Sequence, residues 1–391
     1  MLEHLFARLR RLACGAGQPF RHSGTTRPLN LESLESRQLF SIDGFGEPLV
    51  FDLDAAWDNR SVEELALGDL NADGKPDLVA PLDHGSAVVT MLGDGAGTFR
   101  RPAVAQGTGN VISPASPLIV DWNQDGRQDV LVTYYNGDQK LLPGNGDGSL
   151  GQGQGFHLTR SYSIAGGDFN NDGVRDLVAL KSSSFEVVVG LNNGSGGIGS
   201  TRRTVLEHDQ GVGNGATLAV GDVNRDGDLD LLATNDADRN LAVLFGNGDG
   251  TFQVGPSYGA ASGVGSVPSD LALRDLNADG KLDVVIVNKS SDSVSVGMGD
   301  GSGGFQFTAI AVGRVPIRMD VGDIEGDGDL DIVVANKSSD TISLLEGNGD
   351  GTFQLVRNFA AGPNSSSVEP SDVKLGDLDG DGILAGGCGT R

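Results

Sequence analysis

The chain has 391 residues, 61 of them glycine, with a formal charge of −25 and a sequence pI near 4.4. Such an acid excess repels nucleic acid and anionic membrane, and directs attention to cations or basic surfaces as partners. Hydrophobic residues at 38% exclude global disorder, and two cysteines, Cys14 and Cys388, exclude a disulfide framework.

In chain order, residues 1–44 come first and stand apart: they are basic (Arg8, Arg10, Arg11, Arg21, Arg27) and carry no repeat. Residues 2–13 suit a short amphipathic helix, but no uninterrupted apolar stretch of signal-peptide length follows. This division predicts a targeting or disordered segment over 1–44 and a repeat domain over 45–391. No apolar run anywhere reaches the ~18 residues that suggest a membrane-crossing helix.

The repeat domain is organised by a nine-residue loop, Asp-x-Asn-x-Asp-Gly-x-x-Asp. Its first Asp falls at 69, 121, 168, 222, 275, 323 and 377, so the period is 47 to 54 residues. That period suits a four-stranded propeller blade and is too long for a leucine-rich or ankyrin unit. Each unit reads alike. A short apolar segment enters the loop (Leu218-Ala219-Val220-Gly221-Asp222), and a continuous apolar run leaves it (Asp331-Ile332-Val333-Val334-Ala335). Runs of this kind, without helical period, read as strands covered on both faces. A polar turn and another strand follow, ending in a glycine turn such as Gly347-Asn348-Gly349-Asp350-Gly351-Thr352-Phe353. Asn-Gly and Asp-Gly supply the positive φ of a tight hairpin, and the Phe is placed to anchor the next strand between neighbouring sheets. The expected fold is all-β: a seven-bladed β-propeller of four-stranded blades, the seventh incomplete.

The loops are the candidate site. Alternate positions 1, 3 and 5 place side-chain oxygens on one side of a tight turn, position 7 offers its carbonyl, and Asp at position 9 closes the cage. An oxygen-only shell selects Ca²⁺, whereas zinc or copper would want His or Cys. The candidate ligands are Asp69, Asn71, Asp73 and Asp77; Asp121, Asn123, Asp125 and Asp129; Asp168, Asn170, Asp172 and Asp176; Asp222, Asn224, Asp226 and Asp230; Asp275, Asn277, Asp279 and Asp283; and Asp323, Glu325, Asp327 and Asp331. The seventh loop keeps Asp377, Asp379 and Asp381 but has Ala385 in the closing place, which predicts weak or absent binding. An EF-hand is excluded, because position 12 is Ala80, Val132, Ala179, Ala233, Ile286 or Val334, where that motif needs a bidentate Glu.

Loop, strand order and glycine turn together resemble the FG-GAP/VCBS repeat family, over roughly residues 45 to 384. The resemblance implies the seven-bladed propeller of integrin α-subunit heads and of many secreted bacterial proteins, with Ca²⁺ in the blade loops. It also implies structural or adhesive work far more often than catalysis. Residues Pro48 to Ala56 align with Gln354 to Ala361 and are placed to supply the last strand of the seventh blade. Separately, Leu31-Glu32-Ser33-Leu34-Glu35-Ser36-Arg37-Gln38-Leu39-Phe40 resembles the LEPRxLL segment of planctomycete exported proteins, with Ser36 in place of its Pro. This implies export.

The functional expectation is a calcium-binding, secreted or cell-surface scaffold for adhesion or ligand binding, with a protein or polysaccharide ligand and no catalytic residues. Two alternatives stand beside it: a propeller-based polysaccharide-active enzyme, and a purely structural envelope component. The five histidines (His4, His22, His84, His157, His208) lie outside the loops and form no recognisable constellation.

Overall fold

A computed structural model of the chain describes residues 64–390, apart from 83–86, 101–103, 108–113, 135–137, 160, 182–185, 207–216, 236–238, 260–263, 265–266 and 362–368. The segments 1–44 and 48–56, with the export motif and the strand expected from the N-terminal side, lie outside the described residues.

Six four-stranded antiparallel sheets follow one another along the chain, each a meander of neighbouring strands. They span residues 66–107, 114–156, 161–205, 218–258, 268–311 and 316–360. A seventh sheet has two strands among the described residues, Pro370–Gly376 paired with Ala385–Thr390. The all-β propeller is therefore present with six complete blades, where the sequence reading expected seven with the last incomplete. Among the described residues there is no helix, and none long and apolar enough to cross a membrane.

The apolar runs after each loop become the second strands, and they are buried on both faces, as in Asp77–Leu82, Asp283–Asn288 and Asp331–Asn336. The fourth strands face outward; Ile198–Val205 is exposed along most of its length. First strands lie innermost and pack on one another around the ring. Between successive sheets sit seven apolar clusters, one of them joining the seventh sheet to the first through Leu378, Leu65, Leu67 and Phe99.

Each cluster holds the residue at position 2 of a loop. Leu70, Trp122, Phe169, Val223 and Leu276 are buried there, with Ile324 and Leu378 packed alongside. The loop is thus hinged on an apolar wedge driven between two blades, and burying such a side chain is worth about 1.5–3 kcal/mol. The aromatic that closes the hairpin turn packs in the cluster on the preceding blade's side, as Phe99, Phe252, Phe305 and Phe353 show.

Three inner-strand aspartates staple neighbouring blades. The Met319 amide donates to Asp270 (2.8 Å), the Leu375 amide to Asp320 (2.8 Å), and the Leu65 amide to Asp372 (2.7 Å). The last bond closes the ring from the seventh sheet onto the first. Burial pushes the Asp270 and Asp372 carboxyls up, while the cations Arg318 and Lys374 beside them pull the other way. Lys374 Nζ lies 3.8 Å from Asp372, and Arg318 lies 3.5 Å from Glu64. The inner strands of the fifth to seventh sheets therefore carry buried charges of both signs.

Candidate metal centre

The loops share one backbone plan. Position 4 is left-handed in the first five copies although none is glycine there: Ala72, Gln124, Asn171, Arg225 and Ala278 have φ of 56° to 63°. The sixth and seventh copies place Gly326 and Gly380 at that position. Position 6 is always a left-handed glycine, from Gly280 at 78° to Gly328 at 97°. Two left-handed residues around position 5 fold the chain tightly enough to bring the oxygens of positions 1, 3 and 5 together.

The convergence is visible in the fourth loop. The Asp226 amide donates to Asp222 Oδ1 (3.1 Å) and to Asn224 Oδ1 (2.9 Å), the Gly227 amide donates to Asp222 Oδ2 (3.0 Å), and Asn224 Nδ2 donates to Asp226 (2.8 Å). Asp69/Asn71/Asp73, Asp121/Asn123/Asp125, Asp168/Asn170/Asp172 and Asp275/Asn277/Asp279 repeat the two bonds onto the position-5 amide. In the sixth loop Asp323 accepts the amides of Gly326, Asp327 and Gly328.

Position 9 is placed differently. Asp77, Asp129, Asp176, Asp230, Asp283 and Asp331 are fully buried at the head of the second strand. One carboxylate oxygen accepts the position-2 amide of its own loop; the other accepts the amide of the first residue of the blade's hairpin turn. For Asp230 the donors are Val223 and Gly246, both at 2.9 Å. For Asp331 they are Ile324 and Gly347, both at 2.8 Å. The residue read from sequence as the lid of the cage is therefore also a staple between loop and hairpin. Burial pushes the Asp77, Asp129, Asp230 and Asp283 carboxyls above the ordinary range, and Asp176 up to about 6, although these amides favour the charged form.

Among the described residues, three acidic side chains offer oxygens within 4.8 Å of one another at two places: Asp323/Glu325/Asp331 and Asp377/Asp379/Asp381. In the other five loops no acidic trio is that close, and position 3, the acid Glu325 in the sixth loop, is Asn in each. The seventh loop, though lacking the closing Asp, gathers its three carboxylates. In the sixth, burial and then the neighbouring Asp331 push the Glu325 carboxyl up to about 7. Carboxylates held so close favour a cation between them, and a hard, oxygen-only donor set fits Ca²⁺. Of the histidines, only His157 is described; it is exposed, lies 3.2 Å from Asp138 and falls outside the loops.

The sequence reading missed the position-2 wedges and the inner-strand staples Asp270, Asp320 and Asp372. The wedges had a signal, since position 2 is apolar in all seven copies. Two of the staples, Asp270 and Asp372, had a fainter one: Pro-Ser-Asp recurs at 268–270 and 370–372, a fixed distance before a loop.

No curated protein matches the chain. Solved structures do. The chain resembles BBS1N, solved in complex with ARL6DN, with a TM-score of 0.58 at 13% identity over 85% of this chain and 92% of that one. It resembles a provisional 6-phosphogluconolactonase from Bacteroides fragilis with a TM-score of 0.58 at 16% identity, covering 88% of this chain and 99% of the other. A protein from Lactobacillus plantarum gives 0.55 at 16% identity, over 84% and 96%. At such identities the likeness establishes the propeller fold alone. Sequence similarity goes further: the FG-GAP-like repeat family matches at residues 69–132, 121–179, 168–233, 222–286, 275–334 and 323–384, the first five running from one loop into the second strand of the next unit and the sixth ending just before it. With its loops, wedges and hairpins in register with those six matches, the chain belongs to the FG-GAP-like repeat family.

Proposed function

We propose that this protein is a calcium-stabilised scaffold working at the cell surface or outside the cell, which presents a propeller face to a protein or polysaccharide ligand. The observation that carries the reading is the repeated oxygen cluster on one rim, in six loops matched to the family and a seventh with three converging carboxylates. The residues that would hold Ca²⁺ are those at positions 1, 3, 5 and 9 of each loop; the bound ion would neutralise clustered charge and hold each loop shut.

A division of labour between the two rims supports the scaffold half of the reading. The loop rim is uniform from blade to blade. Away from that rim, the number of residues between one blade's last strand and the next blade's first differs from blade to blade, from four after Ala311 to twelve after Val205. Variable loops on a rigid frame are where binding specificity is usually built.

Calorimetric titration of chelator-stripped protein tests the metal. Uptake of about six Ca²⁺ per chain is expected, with each site adding about 2.7 kcal/mol of stability at a hundredfold excess over its Kd. An unchanged melting curve with and without EDTA would refute it.

A further inference from the structure

We infer that the loops at 168–176 and 222–230 bind their cations as a coupled pair, the fourth loop's cation raising the affinity of the third. The inference rests on the calcium reading above and concerns how the sites communicate.

Two connections join these loops. The first is direct: Asn171 Nδ2 donates to Asp228 Oδ1 at 2.7 Å. Among the described residues, no other two loops are joined by a side-chain-to-side-chain hydrogen bond. The second runs through the backbone. The Gly250 amide, in the hairpin turn of the fourth blade, donates to the Phe169 carbonyl of the third loop at 2.8 Å. The Phe169 amide donates to Asp176 at 3.0 Å. The same hairpin turn begins at Gly246, whose amide donates to Asp230 of the fourth loop. The hairpin turn from Gly246 to Gly250, with a hydrogen bond at each end, therefore connects the two closing aspartates through the backbone of Phe169.

Asn171 is the left-handed position-4 residue of the third loop, at φ 57°. That conformation is costly for a non-glycine residue, and the fold that brings positions 1, 3 and 5 together requires it. Asp228 is carried on the fourth loop between Asp226 and Asp230. A cation held by Asp222, Asn224 and Asp226 fixes that loop, and with it the acceptor that keeps Asn171 in place. The third loop is then pre-organised, and the ordering it must undergo on binding is smaller. Gly248 covers the bridge: a Cβ there would lie 2.6 Å from Asp228 Oδ1 and 2.9 Å from Asn171 Nδ2.

The test is a Ca²⁺ titration of the full chain, following the backbone amide resonances of Gly74, Gly173 and Gly227, each of which donates to its loop's first Asp. In Asp226→Ala the Gly227 response should vanish and the Gly173 midpoint should rise at least about fivefold, with Gly74 unmoved. Asn171→Gly keeps the backbone conformation and removes the bridge, so in that background Asp226→Ala should move Gly173 much less. A Gly173 midpoint unchanged by Asp226→Ala would overturn the coupling while leaving the calcium reading intact. A wild-type chain in which none of the three glycines responds would overturn both.

Discussion

Replacing Asp230 by Ala separates the staple from the metal. Asp230 is fully buried and accepts the Val223 and Gly246 amides at 2.9 Å, and Asn224's amide more weakly at 3.2 Å. Bonds from backbone amides to a charged acceptor are worth about 1.5–3 kcal/mol each, and orphaned buried donors forfeit their full desolvation energy. Two such losses come to about 3–6 kcal/mol. Part returns because the carboxylate itself is unfavourably buried, as its raised pKa shows, which leaves about 2–4 kcal/mol. Asp226→Ala is the control: it removes an exposed side chain that accepts one amide, from Asp228, and one Asn224 bond. In excess EDTA it should cost under about 1 kcal/mol. Urea unfolding of both variants in chelator measures the difference, and hydrogen exchange should place the Asp230 loss in the fourth blade. Equal losses for the two variants in EDTA would refute the staple. In millimolar calcium the gap should persist, since both variants then forfeit their cation as well.

Two further predictions concern the buried carboxylates. Burial raises Asp176 from 3.8 to about 6, so between those pH values the folded state holds a proton that the unfolded state has released. In EDTA, stability should fall as pH rises through that window and level off above it, because the unfolded chain binds fewer protons there. Urea midpoints across the window should slope less steeply in Asp176→Asn; a wild-type midpoint that rises through the window contradicts the burial argument. For ring closure, Asp372→Ala strands the Leu65 amide and leaves Lys374 without its nearest anion, at an expected cost of about 3–5 kcal/mol. Faster hydrogen exchange in Ala66–Gly68 and Pro370–Gly376 is the readout, and unchanged protection there would exclude the closure role.

The repeat, the all-β character and the tight folding of the loops were legible in the sequence because each depends on local chemistry. Asp at positions 1 and 5 acts on amides two to five residues away, and the glycine at position 6 answers a local demand for positive φ. Periodicity alone separated blade strands from helices, and the position-12 residues Ala80 and Ile286 lie in buried strands as the exclusion of an EF-hand required. What only the tertiary structure decided is what each blade does to its neighbour. Asp372 receives an amide 307 residues away, and Asp270 one 49 residues away, so their role exists only once the ring has formed. The same holds for the closing aspartates. Sequence marks them as oxygen donors, but their second partner, the hairpin amide 15 or 16 residues on, is brought to them by strand pairing. The seventh unit shows the limit most plainly: its loop follows the repeat pattern, while its contact with the first blade, through Leu378 and Asp372, belongs to the closed ring.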